Sequence, residues 1–207
     1  MLELFDEWRL RDHHKDHLFI SDGIIDQVQW NNSPVKILFL LKEAYDSVKT
    51  EGTWDLCGLV KRLGVSGRTF KPMAQWAYGV SAVKSTSTIV PFKGSGEPLD
   101  KALRSSAVIN IKKSQGKKKS SSTNLISYVD RDWDLIEKQI QTIKPDVVIC
   151  GKTWPMISSR LESVEKVSDR VYRSGGIQYI DFWHPANRAS NKMNYYSLCA
   201  LVQLAGG

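Results

Sequence analysis

Apolar residues recur along this chain in two rhythms, short runs and longer stretches at helical spacing. Residues 35–41, 107–111, 146–150 and 177–182 form the runs. Residues 37–41 and 147–150 are unbroken and 107–111 and 177–182 are mostly apolar; all are too short for a buried helix, so each is read as a strand of a buried sheet. Between them Trp54, Leu56, Leu59, Val60 and Leu63 repeat at helical spacing, as do Ile126, Val129, Trp133, Ile136, Ile140 and Ile143. These mark one helix over 54–63, ended by Gly64, and a long one over 125–143, capped by Asn124 and ended by Lys144-Pro145. Further helices are expected over 2–19, 23–30, 69–78, 99–103, 154–161 and 192–204. A strand over 170–173, turned by Ser174-Gly175-Gly176, is expected to pair antiparallel with 177–182. Strands alternating with helices predict an α/β three-layer sandwich around a short, mostly parallel central sheet of about four strands. The chain, 1–207, is read as one domain with N-terminal helices in 1–33.

Charge adds a location to this picture. Lys and Arg outnumber Asp and Glu by 29 to 22, and residues 101–122 carry Lys101, Arg104, Lys112, Lys113, Lys117, Lys118 and Lys119 with no acid among them. The rest of the chain is balanced, so the surplus sits in one segment, as expected where a protein meets a polyanion. A solvated loop is the other reading. Residues 112–123, rich in Lys and Ser, are expected to stay mobile until an anion binds, because they bury too little apolar surface.

Other classes are set aside by what the sequence lacks. The acidic opening Leu2-Glu3-Leu4-Phe5-Asp6-Glu7 does not read as a targeting signal, and the longest apolar run is too short to cross a bilayer, so a cytoplasmic protein without a membrane partner is expected. Cys57, Cys150 and Cys199 form no C-x-x-C pair and read as small buried hydrophobes, not as a disulfide, zinc or iron–sulfur framework. His13 and His17 share a face of the first expected helix, but Lys15 and Asp16 between them mark a solvated surface, so no metal is expected. Gly94-Ser95-Gly96 and Gly175-Gly176 lack nucleotide-binding spacing and read as turns.

Ligands of open parallel sheets bind beyond the carboxyl ends of the strands. The first strand runs into Lys42-Glu43-Ala44-Tyr45-Asp46 and the second ends in Asn110. The third runs into Gly151-Lys152-Thr153-Trp154 and the last into Trp183-His184-Pro185-Ala186-Asn187-Arg188. A carboxylate, an amide, a lysine and a histidine are thus aimed at one edge.

In order and position these motifs resemble those of the uracil-DNA glycosylase superfamily over residues 35–188. Leu41-Lys42-Glu43-Ala44-Tyr45 stands where that family has a G-Q-D-P-Y variant, Val108-Ile109-Asn110 where it has a strand ending in Asn, and His184-Pro185-Ala186 where it has H-P-S-P or H-P-A-A. Leu41, Ala44 and Glu43 depart from the usual glycine, proline and aspartate, which points to a divergent branch. The absent cysteine set separates the chain from iron–sulfur-bearing branches.

The resemblance implies a monomeric, cofactor-free hydrolase that cleaves the N-glycosidic bond of a flipped-out uracil or other modified pyrimidine in DNA. It makes Glu43, with Asp46 as rival, the carboxylate that supports an oxocarbenium-like sugar and orients water. His184 becomes the neutral donor to the departing base, Asn110 the group that pairs with its edge, and Tyr45 a ring beside it. Trp54 is read as a stacking partner or as core. Arg188 is expected at the minor groove, and Lys112, Lys113, Lys117, Lys118, Lys119 and Lys152 at the DNA backbone. Repair of uracil and defence against bulky modified bases of phage DNA both fit. The competing class is a nucleic-acid-binding module that has lost hydrolysis; a serine hydrolase is disfavoured because no G-x-S-x-G elbow is present.

Overall fold

In the computed structural model, residues 1–15, 17–45, 54–117 and 120–206 are described. In chain order their elements are α1 (Leu2–Arg9), β1 (Ile20–Ser21), β2 (Gly23–Ile24), α2 (Gln27–Asn32), β3 (Ile37–Leu41), β4 (Trp54–Asp55), α3 (Leu56–Leu63), α4 (Gly67–Thr86), α5 (Glu97–Arg104), β5 (Ser106–Asn110), α6 (Ser122–Ile143), β6 (Val147–Gly151), α7 (Trp154–Ile157), β7 (Glu165–Ser168), β8 (Val171–Ser174), β9 (Ile177–Phe182) and α8 (Asn191–Leu204).

One mixed sheet of seven strands runs in the order β2-β5-β3-β6-β9-β8-β7, and β1 pairs with β4 in a separate parallel ribbon. The expected sheet of about four strands is therefore corrected to seven. Strands β5, β3, β6 and β9 run parallel at its centre, while β2, β8 and β7 add antiparallel edges. The sequence pattern passes over β2 because it has two residues, and over β7 because Glu165-Lys166-Val167-Ser168 carries one apolar side chain. Edge strands with charge at their outer positions are what keeps a sheet from pairing with another chain.

Successive residues of β3 alternate between two cores. Ile37, Phe39 and Leu41 pack with residues of α3, α4, α5 and α8, whereas Leu38 and Leu40 pack with residues of α1, α6 and α7. Helices thus cover both faces, which is why the central strands read as apolar runs. Among the described residues no helix is long and apolar enough to cross a membrane.

Several helix expectations are corrected. Helix α1 stops at Arg9, because the following turns carry Arg11, His13 and His14 onto the buried Asp132 of α6. Gly23–Ile24 pairs with β5, and α2 starts later, where the Asp26 carboxylate accepts from the amides of Val28 and Gln29. Helix α4 runs past Gly79 to Thr86: a Cβ at Gly79 would lie 2.5 Å from Cys199 Sγ and from the Tyr195 ring, so this glycine permits close packing of α4 on α8. Ser121, not Asn124, caps α6.

The segment after β5 differs most from expectation. Residues 111–114 are buried, and Lys113 lies in the interior at 0% exposure. Its ammonium sits 2.6 Å from the carboxylate of Asp22, which also accepts from Gln139 Nε2 at 3.0 Å and from the Asn110 amide at 2.8 Å. Burial pulls this ammonium below its ordinary range and Asp22 pulls it back. Carbonyl and amide groups of the segment bond to Ile20, Leu18 and Ala44, so residues 112–116 are packed against neighbouring segments, while Lys117 is exposed. Lys118 and Lys119 lie outside the described residues. Replacing Lys113 with Met leaves Asp22 buried without its cation, and urea denaturation is expected to show a loss of about 3–5 kcal/mol.

Candidate active site

The backbone beyond β3 and the backbone beyond β5 continue side by side past the end of the sheet. Amides of Ile111, Lys112 and Gly116 donate to the carbonyls of Leu41, Lys42 and Ala44 at 2.9, 3.1 and 2.8 Å. Glu43 is held in this seam, its side chain 4% exposed and its carboxylate 3.2 Å from the Lys112 ammonium. Lys112 in turn lies over the Tyr128 ring at 4.8 Å. A Cβ at Gly116 would fall 2.4 Å from Glu43 Cγ, so only glycine leaves room for the carboxylate there.

His184 approaches from the end of β9. Its Nδ1 accepts from the amide of Ala186 at 3.2 Å, and Asn187 closes the turn by donating to the His184 carbonyl. With Nδ1 used as an acceptor, the neutral ring carries its proton on Nε2, which has no hydrogen-bond partner among the described residues. Burial, and after it the nearby cations Lys42 and Lys152, lower the imidazole to about 4. Gly151 allows this approach, since a Cβ there would lie 2.6 Å from Leu41 and 3.6 Å from the His184 backbone.

Both residues line one cavity of about 700 Å³, together with Asn110, Tyr45, Trp54 and Lys117. Asn110 is 3% exposed, and its Nδ2 has no partner among the described residues. The arrangement therefore combines a carboxylate, an imidazole N–H donor and an amide around a space with aromatic walls. A second cavity of about 350 Å³, at the amino ends of β3 and β5, has Lys101 as its one charged lining residue and offers no such chemistry.

The expected residues divide accordingly. Glu43, Asn110, His184, Tyr45, Trp54 and Lys117 come together. Asp46 lies outside the described residues, as do Lys118 and Lys119. Lys112 and Lys113 are corrected: they are internal partners of Glu43 and Asp22, buried where no DNA backbone reaches. Arg188 is exposed on the turn after His184, and Lys152 lines a neighbouring groove. Trp54 belongs to the small β1–β4 ribbon and packs partly on the core while facing the cavity. Lys42, Phe70 and Thr69 also line the cavity and were not singled out from the sequence. Lys42 follows β3 directly, a positional signal; Phe70 lies on the first turns of α4, and nothing local distinguishes it from a core residue.

The expected pairing of His13 with His17 on a helix face is also corrected, because these residues lie beyond the end of α1. Instead His13 Nε2 and His14 Nε2 each bond one oxygen of Asp132, at 2.9 and 2.8 Å, and the three ligand-type atoms lie within 4.8 Å of one another. Arg11 also reaches Asp132, so both carboxylate oxygens are engaged by protein groups. This network ties the N-terminal segment to α6.

No protein-family model matches the chain, and no curated protein matches it.

The depressed histidines give stability a pH dependence of definite sign. Unfolded, His184 and His14 take up a proton near their ordinary value of 6.5; folded, both are held below it, His184 at about 4. The unfolded state binds more protons in that window, so stability falls as pH drops from 6.5 towards 4. The His184 contribution amounts to about 3 kcal/mol when fully lost. Urea midpoints are expected to fall between pH 7 and 5, and to fall less in a His184→Gln variant.

Proposed function

We propose that this protein is a DNA N-glycosylase of the uracil-DNA glycosylase type, acting on a modified pyrimidine turned out of its strand into the cavity of about 700 Å³. The observation that carries the reading is the meeting of Glu43, the unpartnered amide of Asn110 and the neutral Nε2–H of His184 in one cavity, from three different strand ends. Each matches a chemical demand of the reaction. Water attacks the sugar carbon as the bond to the base breaks, the electron pair leaves with the base, and the proton the water gives up neutralises the departed base anion through solvent. Glu43 orients the water and supports positive charge on the sugar. His184 donates to the base oxygen that gathers negative charge, and its depressed pKa keeps it a neutral donor at physiological pH. Asn110 pairs with the base edge, while Tyr45, Trp54 and Phe70 offer rings beside it.

Plain uracil and a pyrimidine bearing an added group both fit a cavity of this size, and Ala44 in the place of a proline marks the divergence of the motif. Routine uracil repair and defence against modified foreign DNA are both served by such a site. One observation favours the competing reading of a binding module without hydrolysis. The Lys112 ammonium, 3.2 Å from Glu43, offsets the negative charge that would support an oxocarbenium ion.

Mass analysis of bases released from DNAs of defined pyrimidine modification separates the two. Release is expected from the wild type, with Glu43→Gln and His184→Ala each slowing it by about 100-fold or more. Equal release by wild type and both variants would remove these residues from the chemistry, and no release from any DNA would leave the binding module. Replacing Lys117, Lys118 and Lys119 together is expected to weaken DNA binding and flatten its salt dependence in anisotropy titrations.

A further inference from the structure

A groove of about 480 Å³ opens beside the cavity and shares Lys42 with it. Its lining includes Lys152, Arg170, Ile126 and Trp183. Trp183 is 42% exposed, an unusual position for so large an aromatic, and it immediately precedes His184. His184 lines the cavity and Trp183 lines the groove, so neighbouring residues of one short segment serve neighbouring spaces.

The charges around Trp183 are arranged for an anion. Lys152 Nζ lies 4.6 Å from the Trp183 ring centre and the Arg170 guanidinium 5.8 Å from it. Among the described residues Lys42, Lys152 and Arg170 form no ion pair within 4.0 Å. Asp181 is the one carboxylate in the lining, so three cations face a single acid there. Lys152 is held at φ +60°, in the left-handed region that a lysine rarely adopts, by bonds from its amide to Cys150 and Phe182 carbonyls. Cations that outnumber their counter-ion at the mouth of a cavity lose their remaining repulsion when a polyanion is bound.

We propose that this groove is a second nucleic-acid subsite, which holds the nucleotide flanking the extruded one on a DNA strand. Lys42, Lys152 and Arg170 take its phosphate, and the exposed part of Trp183 takes its sugar and base. The pairing of cations with an exposed aromatic is the combination by which single strands are held with little sequence preference. The assignment of the neighbouring nucleotide as the extruded one rests on the glycosylase reading; the binding of a strand in the groove does not.

The test is fluorescence anisotropy with an unmodified, labelled single-stranded oligothymidylate of about 15 nucleotides, which requires neither a modified base nor turnover. Trp183→Ala is expected to weaken binding about tenfold, with Trp183→Phe recovering most of it. Lys152→Gln with Arg170→Gln is expected to lower the slope of log K against log salt by about 1.4, from two lost phosphate contacts on a single strand. Melting temperatures equal to wild type show that these surface variants fold. Unchanged affinity and slope in folded variants overturn the subsite, even if the protein releases bases. Inorganic phosphate competing as well as the oligonucleotide, mole for mole of phosphate, also overturns it, because the indole would then have no part. Loss of affinity in the variants of a protein that releases no base sustains the subsite and overturns only the glycosylase reading.

Discussion

Two consecutive lysines at the end of β5 are buried, and each must keep a carboxylate beside it. Lys113 is matched by Asp22 and Lys112 by Glu43. An interior charge without its partner costs several kcal/mol, so these pairs dictate where the chain after β5 can lie. Asp22 extends the constraint, because the same carboxylate receives the Asn110 amide and the Gln139 side chain. The N-terminal segment, the end of β5 and α6 are thereby locked into one geometry, and Asn110 is delivered to the cavity as part of it.

The electrostatics of the cavity follow from this unequal pairing. On one wall Glu43 is compensated by Lys112. Lys42 in the cavity and Lys152 in the adjoining groove form no ion pair among the described residues, and together with burial they hold His184 neutral. Lys42 is itself lowered by burial and by Lys152. On the proposed reading, such a cavity would take a neutral base with polar edges at its centre and leave excess positive charge beside it for a phosphate backbone. Neighbouring strand ends thus supply recognition and charge to the same opening, an economy that the parallel sheet provides by bringing its carboxyl ends together.

Much of the site was legible because it depends on local sequence. Residues that directly follow an apolar run must emerge at the end of a strand, so Glu43, Asn110 and His184 could be placed together from the positions of three such runs. The same reasoning failed for the basic segment. Lys112 and Lys113 look like surface charge in composition, and what buries them lies 69 and 91 residues away. Likewise His13 and His14 gain their meaning from Asp132, which no spacing along the chain connects to them.

Apolar runs of strand length, separated by stretches at helical spacing, determined by themselves that this chain would form an α/β fold with central strands buried on both faces. It also determined which residues stand at the strand ends. Only the tertiary structure decided which charges are internal and which face solvent, how many edge strands join the sheet, and that Trp183 opens a groove beside His184. The reason is physical: burial of apolar surface is written in each residue, whereas the state of a charge depends on what the folded chain brings within a few ångströms of it.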